Sequence, residues 1–256
     1  MPGSNPIQSL SRGLQILEWV AGSDDGLTLQ QLAERMQLQP STAHSLAKTL
    51  VLRGFLERAS SPVRYQLGPG VINLVDQYRD RPFQRRAAQV LGRLYEECPA
   101  GARLVLAEPV GVDVVLTLRI SPERPGVLEH PSYSALPVYT TACGLAFLAF
   151  WPHERRLLSH RSYPFDQYGA HTWGAEERLE AFLSRVREQG HACAPVGPNG
   201  LCCLAVPIFS PTRGLVAALG LAVPMRDEAW LEPYMRATVP RLKAAAREIA
   251  TGEVAS

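Results

Sequence analysis

Between Thr28 and Arg53 the apolar positions recur twice at helical spacing, with one break between them. Leu29, Leu32, Ala33 and Met36 make the first stripe; Ala43, Leu46, Ala47, Leu50 and Val51 make the second. Thr28, with Gln31 three residues on, predicts a capping box at the start of the first helix. Gln37-Leu38-Gln39 breaks the pattern. Pro40 suits the first turn of a second helix, where its missing N–H would have no partner anyway. The polar side of that second helix carries Ser41, Thr42, His44, Ser45, Lys48 and Thr49. It is small and polar, with one cation. Such a surface can come close to a duplex, with hydroxyls and Lys48 on phosphates and the N-terminal side chains on base edges.

An ordinary helical hairpin whose polar face meets only water shows the same spacing. The residues that follow favour DNA. Gly54 ends the helix, Phe55 to Arg58 reads as a strand, Ala59-Ser60-Ser61-Pro62 as a turn, and Val63 to Leu67 as a second strand. A two-stranded hairpin in that place is a wing. From Ser41 to Tyr65 the cations are Lys48, Arg53, Arg58 and Arg64 and the acid is Glu57, whereas the whole chain carries only +2. Positive charge is therefore gathered where phosphates would lie.

Upstream, residues 1–8 read as a loose arm. Ser9 or Ser11 can cap a first helix running to about Val20, with Leu10, Leu14, Leu17 and Ile16 expected inward and Arg12 in reach of a phosphate. Downstream, YQLGPG leaves the wing. A helix is expected from about Val71 to Tyr78, a break at Asp80-Arg81-Pro82, and a second helix from about Phe83 to Glu97. These amphipathic helices must bury Leu74, Val75, Val90, Leu91 and Leu94 somewhere, which suits a dimer element. From Ala102 the period falls to two: ARLVLAEPV and VDVVLTLRI read as a hairpin about Gly111. Pro131 to Pro137 reads as loop. Cys143 to Trp151 is a strongly apolar helix, Glu154 to His160 a short one, and Ala175 to Gln189 a charged amphipathic one. Three strands follow, His191–Val196, Leu201–Phe209 and Gly214–Val223, then a helix from about Trp230 to Ala250. Antiparallel strands with segregated helices predict an α+β fold. The expected division is a winged helix-turn-helix over 1–68, a helical linker over 69–98 and an effector-binding domain over 99–256.

Composition changes this picture little. The chain has 256 residues, 46% hydrophobic and 20% charged, an ordinary globular balance that allows two modest domains. No apolar run approaches a membrane span, and the N-terminus lacks the build of a signal peptide. A cytoplasmic protein is expected. The five cysteines (Cys98, Cys143, Cys193, Cys202 and Cys203) include no C-x-x-C pair and read as reduced thiols.

The whole arrangement resembles the IclR family of bacterial transcriptional regulators. The similarity runs from about Ile7 to Ala250. It is carried by QLAERMQLQPSTAHSLAKTL, YQLGPGV, ALPVYTTACGLAFLAF, and the pair REQG…GLCCLAVPIF with GLVAALGLAVP. The resemblance implies a DNA-binding domain followed by a GAF-like domain that binds a small effector. It also implies homodimers, often tetramers as pairs of dimers, on double-stranded operator DNA. Recognition helices of the family usually have Arg where this chain has Ser45, so a bidentate contact to guanine is missing there. The DNA-contacting set is then Arg12, Ser41, Thr42, His44, Ser45, Lys48, Arg58 and Arg64. Carried over position by position, the effector pocket should include Ala142 and Cys143 at a helix start, Cys193, Cys203 and Ala205 on the late strands, and Gly220 and Ala222 on the last. Relatives that bind small carboxylates place polar groups at several of these points. Here they are small, apolar or thiol, which predicts a larger, weakly polar or aromatic carboxylate. The helix start could hold its carboxylate through free N–H groups.

Two other classes compete. Convergence of Cys143, Cys193 and Cys203 would make a thiol-based redox or metal sensor, although buried Cys usually acts as a small hydrophobe. His153 and His160 are seven apart on one helical face, yet no further ligand has metal-site spacing near them. An enzyme is the other class. The chain has no G-x-S-x-G, no nucleotide-type glycine loop, no H-E-x-x-H and no acid pair among Asp113, Glu123, Glu129 and Asp166. No catalytic residue, cofactor or metal is expected.

Overall fold

The structure is a computed structural model and describes residues 6–59, 62–79, 81–132, 134–197 and 200–252. Of the expected features, most of the N-terminal arm, Ser60 and Ser61 of the wing turn, and Asp80 lie outside those residues. The chain forms two compact units, 1–81 and 82–256.

The first unit holds helices α1 (Gln8–Ala21), α2 (Leu29–Met36) and α3 (Pro40–Leu52), strands β1 (Leu56–Ala59) and β2 (Arg64–Leu67), and helix α4 (Pro69–Arg79). At Thr28 both halves of the capping box form, with the Thr28 side chain accepting from the Gln31 N–H and the Gln31 side chain from the Thr28 N–H. Helix α2 ends at Gln37 in the left-handed conformation, φ 53°, which turns the chain sharply into α3. Pro40 occupies the first turn of α3 as expected. Ile16, Val20, Leu27, Leu32, Ala47, Leu56 and Tyr65 form the core. Strands β1 and β2 pair antiparallel, and Leu27 bridges to Tyr65 as a third edge.

Helix α1 departs from expectation. It starts at Gln8 with no side-chain cap, and only its second half packs, through Ile16 and Val20. Leu10 and Leu14, expected inward, are 61% and 54% exposed. Their spacing defines an apolar strip but supplies no neighbour to cover it. In α4, Ile72, Leu74 and Val75 are likewise exposed.

The second unit begins with α5 (Pro82–Glu96). Its sheet strands are β3 (Arg103–Val110), β4 (Asp113–Ser121), β5 (Arg124–Glu129), β6 (Ser134–Leu136), β7 (Ala192–Cys193), β8 (Leu201–Ser210) and β9 (Gly214–Pro224). Its other helices are α6 (Ala142–Phe150), α7 (His153–Ser162), α8 (Phe165–Tyr168), α9 (Ala170–Trp173), α10 (Glu176–Gln189) and α11 (Glu228–Thr251). The sheet is antiparallel in order β5-β4-β3-β9-β8-β7, with β6 also on β4. Strands β5 and β6 were not expected; β6 lies in the stretch read as loop, and both sit at the margin of the sheet with few apolar residues. Helices α5 and α11 cover one face, and α6 and α10 the other. The stretch 69–98, expected as one linker, is thus divided: α4 belongs to the first unit, whereas Ala87, Val90 and Leu91 of α5 are buried in the core of the second.

Candidate DNA-contacting surface and effector site

Ser41, Thr42, His44, Ser45, Lys48 and Thr49 all lie exposed along α3, while Ala43 and Ala47 on the opposite side are fully buried. The two buried alanines let α3 seat closely on its own unit and leave its hydroxyl-lined side open. Ser45 Oγ donates to the Ser41 carbonyl at 3.0 Å, and Thr49 Oγ1 to the Ser45 carbonyl at 2.9 Å. These hydroxyl protons are turned back onto the helix, so toward a duplex both groups present lone pairs. Arg58 is exposed, with its guanidinium 5.9 Å from the Tyr65 ring centroid. Arg64 is placed differently. Its Nη1 donates to the Gly26 carbonyl at 3.0 Å, bracing the turn before α2 against the wing. A Cβ on Gly26, at φ 75°, would lie 2.5 Å from the Tyr65 carbonyl oxygen, so wing and turn fit closely there. Arg12 is half-buried on α1.

In the second unit the register decides what shares a face. Cys203 pairs with Ala222 and Ala222 with Arg103; Ala205 pairs with Gly220 and Gly220 with Val105. Paired residues of antiparallel strands point the same way, and Ala205, Cys203 and Val105 belong to the layer under α6. Cys143, at the start of α6, lies over this floor. A Cβ built on Gly220 would be 2.7 Å from Cys143 Sγ and equally close to Val105. Cys143 is fully buried, and burial, with a smaller contribution from Cys203, pushes its thiol up to about 12. It is a neutral, small apolar group.

Thr141 caps α6, its Oγ1 accepting from the Gly144 N–H at 3.1 Å. Gly144 admits the preceding segment, since a Cβ there would meet Val138 Cα at 2.6 Å. Tyr139 anchors that segment. Its hydroxyl donates to the Tyr163 carbonyl at 2.8 Å, and Trp173 Nε1 donates to the Tyr139 carbonyl at 2.7 Å. With that one proton committed, His160 Nδ1, 2.8 Å from the same oxygen, must be the donor in their bond. Burial, then the Glu176 charge, raises the Tyr139 hydroxyl to about 12.

The family model described as the IclR helix-turn-helix domain matches residues 9–60, and that of the bacterial transcriptional regulator IclR C-terminal domain matches 100–251. The chain belongs to the IclR family. It is a transcriptional regulator, not an enzyme, with a DNA-binding helix-turn-helix and an effector domain. The transcriptional repressor IclR of Escherichia coli is 26% identical over 227 residues, 88% of this chain and 82% of that protein. The regulator XynR of the same organism is 28% identical over 84% of this chain and 86% of its own. A solved IclR homologue from Microbacterium hydrocarbonoxydans, complexed with 4-hydroxybenzoate, matches with a TM-score of 0.70 at 25% identity, covering 95% of this chain and 98% of that one.

In this IclR-family chain the register corrects one expected pocket residue. Cys193 pairs with Leu204 and packs toward α11, on the far side of the sheet from Cys203 and Ala205. Ala192 and Ala194 face α6 instead, and the Ala194 N–H donates to the Cys203 carbonyl at 2.9 Å. The physical reason is the period of two: a one-residue slip along β7 exchanges the faces. The same slip removes the expected convergence of Cys143, Cys193 and Cys203. Ala142, Cys143, Cys203, Ala205, Gly220 and Ala222 do come together. Arg103, which shares their face and pairs with Ala222, was missed, because nothing in the sequence tells an inward Arg from a solvated one.

Proposed function

We propose that the exposed side of α3 reads a palindromic or repeated operator, and that the α6 side of the central sheet binds an aromatic or weakly polar carboxylate that alters operator binding. The observation that carries the first half is the open, hydroxyl-lined surface from Ser41 to Thr49, seated on buried alanines. Thr42, His44 and Lys48 supply its contacts, Arg58 extends them to the wing, and Arg12 adds one from α1. Ser45 and Thr49 accept through oxygens only, and Ser41 adds a hydroxyl at the N-terminal end. Arg64 acts through the wing's position.

The ligand half rests on the floor of Cys203, Ala205, Gly220 and Ala222. Cys143 Sγ packs closely over Gly220, so the ligand enters as Cys143 swings off this floor of small groups. Thr141 occupies the Gly144 N–H, and the N–H groups of Ala142 and Cys143 in the first turn are suited to a carboxylate. The solved relative complexed with 4-hydroxybenzoate supports an aromatic acid. The regulator acts as a homodimer in the cytoplasm, alone or as a pair of dimers. Ligand favours one spacing of the two α3 helices, and only a spacing near one DNA turn lets both dock.

Binding of the full-length protein to duplexes from its own upstream region, with and without hydroxybenzoates and short hydrophilic acids, tests the reading. Sequence-specific binding that aromatic acids shift is the expected result. Equal binding to every duplex contradicts the operator half, and a response to short acids alone contradicts the ligand half.

A further inference from the structure

The sheet sorts the cysteines into two sets. Cys143 and Cys203 lie on the α6 side; Cys193 and Cys202 lie on the α11 side, among Leu204, Val223 and the residues of α11. Cys193 stands opposite Leu204, and Cys202 is two residues further along β8 on the same face. The thiols therefore face each other diagonally across one rung, near enough for each to shift the other's acidity. Their settings differ. Cys202 is fully buried, whereas Cys193 is half-buried on a two-residue edge strand beside the exposed Pro195, Val196 and Gly197.

We propose that Cys193 and Cys202 are a peroxide-sensitive thiol pair, in which a hydroperoxide oxidises Cys193 and Cys202 closes a disulfide with it. The neighbouring Cys202 thiol lowers the Cys193 thiol below its ordinary value, against burial. The same neighbour interaction, then burial, raises Cys202, which stays protonated until it is needed. In the first step the Cys193 thiolate attacks one peroxide oxygen. An S–O bond forms, the O–O bond breaks, and the departing hydroxide takes a proton to become water. In the second, the Cys202 sulfur attacks the Cys193 sulfenic acid. The S–S bond forms, the S–O bond breaks, and the leaving hydroxide departs as water with the Cys202 proton. One peroxide is reduced and two thiols are oxidised.

The other thiols are poorly placed to resolve the sulfenic acid. Cys203 points through the sheet, and Cys98 Sγ is bonded to the Leu94 carbonyl at 3.2 Å. Diagonal neighbours stand about 7–8 Å apart between backbones, slightly beyond the usual span of a disulfide. A two-residue edge strand can give that distance. Ala192 and Ala194 flank Cys193 and face α6, so the cross-link would also fasten that wall; this consequence rests on the effector reading, and the thiol chemistry does not.

The test uses the full-length protein, hydrogen peroxide and intact mass, with dimedone to trap sulfenic acid. The wild type should lose two hydrogens per chain, regained with dithiothreitol, and gather little dimedone. Cys202→Ala should keep its mass loss at zero and carry one dimedone adduct at Cys193. Cys193→Ala should show neither, and Cys203→Ala and Cys98→Ala should behave as wild type. Mass loss that survives Cys193→Ala, or wild type that gains oxygen at Cys193 with no loss of hydrogen, overturns the proposal. Ligand binding measured on the oxidised protein separates the two readings, since the disulfide can form whether or not the α6 side binds an effector.

Discussion

The two faces of the central sheet are built on different rules. Toward α5 and α11 the strands present Leu104, Leu106, Leu118, Ile120, Leu204, Val206, Ile208, Leu219, Leu221 and Val223, all buried. Toward α6 the same strands present Val105, Ala107, Cys203, Ala205, Ala218, Gly220 and Ala222, with larger groups at Val114 and Leu116 of β4. Strand β9 shows this within one run, where Leu219, Leu221 and Val223 alternate with Ala218, Gly220 and Ala222. A face of large aliphatic groups is a core, worth about 25 cal/mol per Å² of apolar surface removed from water. A face of minimal side chains gives up much of that gain. The difference teaches that large strand side chains fill one core, whereas on the α6 side the helices supply most of the bulk and the strands supply the small floor proposed for the effector.

Truncation is the strongest way to break that comparison. Leu219→Ala, on the α11 side, should cost about 2–5 kcal/mol by denaturant melts. Cys203→Ala on the other side should cost about 1 kcal/mol or less and act on ligand affinity instead. Equal losses would dissolve the distinction.

Enlargement sharpens it from the other direction. Gly220→Ala places a Cβ against Cys143 Sγ and Val105, and should destabilise by about 1–3 kcal/mol. Cys143→Ala in the same chain should recover part of that loss, a coupling a double-mutant cycle measures directly.

A similar division runs through the wing. Arg64→Ala removes the bond to the Gly26 carbonyl and should cost about 1–3 kcal/mol of stability. Arg58→Ala should leave stability nearly intact and lower the salt slope of DNA binding by about one.

The smallest effect concerns pH. Burial, then the Arg156 charge, holds His160 below its ordinary 6.5. Its folded form stays neutral where the unfolded chain takes up a proton. Its contribution is therefore whole above pH 6.5 and is lost as pH falls through that value toward the folded one. His160→Gln should flatten part of the decline in melting temperature between pH 7 and 5.5. His191, also lowered chiefly by burial, should keep the rest.

What could be read from the sequence was mostly local. Thr28 with Gln31 and Pro40 set helix starts through bonds within a few residues, and the pattern alone located them. The alternation in Leu201–Phe209 and Gly214–Val223 placed two strands and set Cys203 with Ala205 on one face and Gly220 with Ala222 on another, which the register then joined. What failed depended on partners. Leu10 and Leu14 have the spacing of a buried stripe but nothing among the described residues of their unit covers them. Cys193 needed the register of a two-residue strand, where one step reverses the answer. Arg64 resembles any wing cation until the fold brings Gly26 to it.

The operator-reading role proposed for α3 is tested most directly by a fluorescence anisotropy titration of the full-length protein with its own upstream duplex, comparing wild type with Thr42→Ala/His44→Ala/Lys48→Ala. All three side chains are exposed, so melting should shift by no more than about 0.5 kcal/mol. Operator affinity should fall at least about tenfold, the equivalent of one good base contact. Unchanged affinity in a fully folded triple variant would contradict the account.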